Sequence, residues 1–118
     1  METIKKINSF RNDLNEIKSS FNNNLSKIGV FGSILHKEIE HINDIDLALF
    51  VKDISLDEAR ETAKKLELSK RVVVSKANGT YIRHKEPKPQ NYFHLIILNS
   101  DNPNKKFMEI NKDSILYV

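Results

Sequence analysis

Apolar residues recur at spacings of three and four through the start of the chain: Ile4, Ile7, Phe10, Leu14, Ile17 and Phe21. That period marks one face of an amphipathic helix, so the pattern predicts a helix over residues 3–21 that covers a core. Thr3 stands where an N-cap belongs, and Asn22-Asn23-Asn24 ends the periodic run. The pattern then changes. Leu25 to Phe31 finishes in the apolar run Ile28-Gly29-Val30-Phe31, cut off by Gly32-Ser33. This reads as a strand and a tight turn. Residues 34–43, ILHKEIEHIN, form a connector with room for about two helical turns. A second strand begins at Asp44-Ile45-Asp46 and runs on through Leu47-Ala48-Leu49-Phe50.

Farther along, Ser55 with Glu58 three residues later makes a capping box, and Leu56, Ala59, Ala63 and Leu66 share one face of a helix over 56–68. Arg71 to Ser75 reads as a strand, and Asn78-Gly79 as a type I′ turn that sends the chain back through Thr80 to Arg83. His84 to Gln90, with Pro87 and Pro89, is a charged loop, and Arg83, Lys85 and Lys88 are candidates there for contact with a substrate. Asn91 to Leu98 is the next strand. A loop with Pro103 at the first helical position leads into a helix over 103–111 with Phe107 and Ile110 inward. Residues 114–118 form a short strand or a docked tail. The order is α, β, short α, β, α, β, β, α. It predicts one domain over residues 1–118 of the α/β class (an α+β two-layer arrangement), with a mixed sheet and helices mainly on one face.

Period 2 in the second strand puts Asp44 and Asp46 on one face and Ile45, Leu47 and Leu49 on the other. Two neighbouring carboxylates repel each other, and a cation between them removes the repulsion. Carboxylate oxygens suit Mg²⁺, which is commonly held by one or two carboxylates together with substrate phosphates. Gly32 lets the backbone approach a ligand closely, and Ser33 offers a hydroxyl and an N–H to a phosphate oxygen. The N–H groups that open the connector favour an anion, and Lys37 is near enough in sequence to help hold a triphosphate, although it also reads as an ordinary exposed lysine. His36 and His41 do not have the spacing of a helical zinc pair and read as surface residues.

Phe31-Gly32-Ser33, ten residues, then Asp44-Ile45-Asp46-Leu47 resembles the signature of the nucleotidyltransferase superfamily that includes DNA polymerase beta. The short chain is most similar to its minimal branch. The resemblance covers about a fifth of the chain. It implies a nucleoside triphosphate, ATP above all, held with Mg²⁺, and transfer of a nucleoside monophosphate to a hydroxyl acceptor. It also implies a separate helical protein partner, as in toxin–antitoxin pairs; the small size of the domain is compatible with a monomer or a homo-oligomer.

The resemblance implies a third acid on a later strand as well. The matching position is His94, between Phe93 and Leu95, and no acid occurs from Pro87 to Ser100. Imidazole is a poor Mg²⁺ ligand. His94 can instead act as a general base on the attacking hydroxyl, ligate a softer metal such as Mn²⁺, or pair with an aspartate as an imidazolium. Glu86 is the nearest other acid before that strand. The alternative to an active transferase is therefore a catalytically impaired module that binds nucleotide or a partner protein, antitoxin-like in kind.

Composition changes this picture little. Among 118 residues, 19 are basic and 16 acidic, a net charge of +3 that is compatible with RNA or nucleotide but does not select either. The absence of cysteine excludes disulfides and thiolate metal sites. No apolar stretch is long enough to span a membrane, and METIKKINSF lacks the apolar segment of a secretory signal. The expectation is a cytoplasmic protein.

Overall fold

The computed structural model describes residues 2–36, 44–69, 72–74, 92–111 and 113–118. Two helices open the chain, α1 (Glu2–Asn8) and α2 (Arg11–Phe21). Strand β1 (Leu25–Phe31) leads through a 3-10 turn at Gly32–Leu35 to β2 (Asp44–Val51). Helix α3 (Leu56–Ser69) and strand β3 (Val72–Val74) follow, then β4 (Tyr92–Asn99), α4 (Lys105–Asn111) and β5 (Leu116–Tyr117). The five strands form one mixed sheet in the order β3-β4-β2-β1-β5. β1 runs antiparallel to both β2 and β5, whereas β2 and β3 each run parallel to β4.

The central strands are apolar on both faces because both faces are covered. On one face, Ile28, Val30, Leu47, Leu49, Leu95 and Ile97 pack against Ile7, Leu14, Ile17, Phe21, Ala59 and Ala63 from α1, α2 and α3. This is the main core, and it places three of the four described helices on one side of the sheet. On the other face Ala48, Phe50, Ile96 and Leu98 form a smaller layer closed by Phe31 and by Phe107 of α4. Phe31 and Phe107 meet edge to face, with ring centroids 5.0 Å apart. No helix among the described residues is long and apolar enough to cross a membrane.

Three local expectations are corrected. The helix expected over 3–21 is two helices, broken at Ser9 and Phe10. The Ser9 hydroxyl donates to the Lys6 carbonyl at 2.6 Å, an alternative to the helical ladder that serine readily takes. Phe10 leaves helical geometry (φ −123°, ψ 27°) and turns into the core, where its ring packs edge-on against Phe93. Ile4 is left 48% exposed on the far side of the break.

Helix α4 starts at Lys105, not at Pro103, because Asn104 is its cap: the Phe107 N–H donates to Asn104 Oδ1 at 2.9 Å. Ile110 was expected inward and is 69% exposed. Phe107 and Met108 both pack against the sheet. At 100° per residue, Ile110 then lies about 110° away from their shared direction.

Other expectations hold. Ser55 Oγ accepts the Glu58 N–H at 3.0 Å and caps α3. The chain's end is a short strand, β5, on β1. The expected turn at Asn78-Gly79, the charged loop 84–90 and the second half of the connector, residues 37–43, lie outside the described residues.

Candidate metal centre

Register places the site. Antiparallel pairing sets Phe31 opposite Asp46, and parallel pairing sets Asp46 opposite His94. Since side chains alternate, Asp44 and Asp46 share a face with Ala48 and Phe50, and His94 shares it with Ile96 and Leu98. This is the face covered by α4. The apolar layer ends where the two aspartates and the histidine begin, close to the amino ends of the parallel strands β2 and β4.

His94 is buried, at 5% exposure, and is the one polar residue between Phe93 and Leu98 of its strand. A buried imidazole needs a partner, and Nδ1 lies 3.0 Å from Asp46 Oδ1. With a proton on Nδ1 the imidazole donates this hydrogen bond to the carboxylate; with both nitrogens protonated the contact is also an ion pair. One donor atom from each of Asp44, Asp46 and His94 lies within 4.8 Å of the other two. Both aspartates keep partial access to solvent while the histidine does not. The three side chains expected from sequence to share one place are therefore together.

The turn after β1 supports the same place. Gly32 has φ +80°, the left-handed region that glycine enters without a Cβ penalty. The space a Cβ would take there is already filled by the Asp46 carboxylate. Gly32 thus lets the chain turn directly against Asp46. Ser33 follows, half-buried, and its carbonyl accepts the His36 N–H at 3.0 Å. Ile34 anchors the turn in the main core. His36 is exposed, as expected. Lys37, His41, Arg83, Lys85, Glu86 and Lys88 lie outside the described residues.

One supporting residue was not foreseen. Lys6 of α1 donates from Nζ to the Ile34 carbonyl at 3.3 Å, tying the first helix to the turn. The two residues are 28 positions apart, and nothing in the helical period around Lys6 distinguishes it from Lys5.

Two carboxylates and one imidazole make a donor set of two hard oxygens and one borderline nitrogen. Such a set can hold a divalent cation, and its nitrogen suits first-row transition ions better than Mg²⁺. Comparison with family models, with characterised proteins and with solved structures gives no match to this chain.

Proposed function

We propose that this chain is a nucleotidyltransferase-like domain. In this reading it binds a nucleoside triphosphate, ATP first among them, and transfers the nucleoside monophosphate to a hydroxyl. The observation that carries the reading is the Asp44–Asp46–His94 cluster set directly against the Gly32-Ser33 turn. An acidic pair to hold a cation, beside a turn that offers N–H and hydroxyl groups to phosphates, suits this chemistry. Asp44 and Asp46 would hold the cation. When bound, that cation neutralises charge on the phosphoryl group in transfer. Ser33, through its N–H and hydroxyl, and Lys37 would hold the outer phosphates. His94 Nδ1 holds Asp46 in place; on giving up its proton it would offer a bound cation a nitrogen, which suits Mn²⁺ better than Mg²⁺. The acceptor hydroxyl attacks the α-phosphorus, its proton leaves to a base or solvent, and pyrophosphate departs.

The His94–Asp46 contact also favours a second reading. It occupies Asp46 Oδ1, and among the described residues the third group beside the pair is an imidazole, not a carboxylate. A module of this kind binds nucleotide, or a partner protein, without transfer.

A titration of the purified protein with the four triphosphates tests both. It is run with Mg²⁺, with Mn²⁺ and with chelator, and pyrophosphate is followed in the same samples. Metal-dependent binding with pyrophosphate release supports transfer. Binding without release, in the presence of varied hydroxyl acceptors, supports the module. Absence of binding in every metal overturns the nucleotide reading.

A further inference from the structure

At the other end of the sheet, a pocket of about 120 Å³ opens where β4 finishes and α3 begins. His94 and Asn99 are five residues apart on β4, so roughly 16 Å of strand separates this pocket from the aspartates. It lies outside the carboxyl ends of the parallel strands β2 and β4, where open α/β sheets commonly take their ligands. Leu56 and Ile97 supply apolar walls, and Arg60, Asn99, Asn102 and Asn104 supply the polar ones. Among the described residues no carboxylate lines it.

The polar atoms are biased toward donors. Arg60 carries only N–H groups. Its Nε is buried and has no hydrogen-bond partner among the described residues. Its side chain is only 20% exposed, on a helix face where arginine usually reaches into water. The contact from Nη1 to Asp57 Oδ1, 3.5 Å and one turn away, does not account for this: Asp57 is almost wholly solvated, and such pairs contribute little. Asn99 points the same way. Its Oδ1 already accepts the N–H groups of Asp101 and Asn102, at 2.9 and 3.0 Å, so what its side chain has left is the amide NH₂. A pocket offering a guanidinium and amide N–H groups between apolar walls selects an anion. Its volume is that of about four water molecules, enough for one phosphate group with the rest of a larger molecule outside.

We infer that this pocket is an oxyanion site, with Arg60 as its principal ligand and a phosphate group, free or carried on a larger molecule, as its occupant. The inference is independent of the nucleotide reading of the aspartate cluster. Arginine is suited to the role because its planar fork meets two phosphate oxygens at once, which a lysine ammonium does not reproduce.

The test is an NMR titration of the ¹⁵N-labelled protein with chelator present, which removes metal-assisted binding at the aspartates. Inorganic phosphate and adenosine 5′-monophosphate are compared at fixed ionic strength, with chloride as control. Saturable shifts of the Arg60 Nε–H and the Asn99 side-chain amide, absent with chloride, are expected. A tighter response to the monophosphate identifies a carried phosphate as the occupant; an equal one identifies the free ion. Arg60→Lys should weaken binding roughly tenfold while keeping the charge. The inference is overturned by shifts confined to Gly32 and Ser33, by no saturable shift with either anion, or by undiminished binding in a folded Arg60→Lys protein. Should that variant unfold, the location of the shifts in the unsubstituted protein decides alone.

Discussion

Gly32 and Asp46 compete for one small volume: a methyl group on the glycine would collide with the Asp46 Oδ2 oxygen. The two residues are 14 positions apart, joined only by register, since Phe31 pairs with Asp46 across the β1–β2 ladder. The turn and the carboxylate are thus a single unit. Gly32→Ala adds a Cβ at φ +80° and forces the Asp46 carboxylate off the position from which it meets His94. The left-handed backbone alone costs about 1–2 kcal/mol. We predict a loss of about 2 kcal/mol in urea unfolding and a clear drop in Mn²⁺ affinity by calorimetry, although no proposed ligand is altered. Unchanged Mn²⁺ affinity would show that the turn does not position Asp46.

Asp46→Asn removes a charge but keeps the shape. An amide oxygen can still accept from His94 Nδ1, and the repulsion with Asp44 is relieved. Without metal, the variant should melt at the same temperature or higher. The unsubstituted protein should gain about 2.7 kcal/mol at a Mn²⁺ concentration a hundred times its dissociation constant. The variant should gain almost nothing. Thermal melts of both proteins, with Mn²⁺ and with chelator, are sufficient. Equal stabilisation of the two would remove Asp46 from the ligand set.

His94→Asp restores the acid that the family resemblance leads one to expect. It also places a third carboxylate at a position only 5% exposed. In chelator, the variant should lose roughly 3 kcal/mol, as buried charges without a counter-charge do. Mg²⁺ should recover much of that loss, and the preference for Mn²⁺ over Mg²⁺ should shrink, because the nitrogen donor has gone. Melts in the two metals measure this directly. A preference for Mn²⁺ that survives the substitution would mean that His94 is not the source of it.

The site was legible in the chain because strands report it with few unknowns. The spacing from Phe31-Gly32-Ser33 to Asp44-Ile45-Asp46 carried the turn and the acidic pair. Alternation along Tyr92 to Asn99 then left His94, between the core residues Phe93 and Leu95, facing the aspartates. Register turned that into a contact. The helices were less legible because a period shows which residues face inward but not whether the helix is continuous. Ile7 and Phe10 are both buried, as the period requires, yet a single serine hydroxyl on the Lys6 carbonyl accompanies a break between them. In α4 the two-residue inward face of Phe107 and Met108 decided the fate of Ile110. Lys6 and Arg60 carried no local signal at all. Their roles depend on partners brought near by the fold, the Ile34 carbonyl for one and the end of β4 for the other.

Ser55 offers a control that separates the fold from the site. Its Oγ accepts the Glu58 N–H, and its carbonyl accepts the Ala59 N–H, so it closes the first turn of α3. Ser55→Ala removes the first bond and leaves the second. The cost should be about 1 kcal/mol, the usual value for an N-cap. Helix α3 packs on the face opposite the aspartates, through Ala59, Ala63 and Leu66. The cation affinity at Asp44, Asp46 and His94 should therefore stay as it is while the unfolding midpoint falls. Urea unfolding and a Mn²⁺ titration on the same preparation check both halves. If Mn²⁺ binding falls together with stability, then losses in the Gly32 variant could be ascribed to general loosening of the sheet. If only stability falls, a weaker metal response after Gly32→Ala is a property of the turn itself.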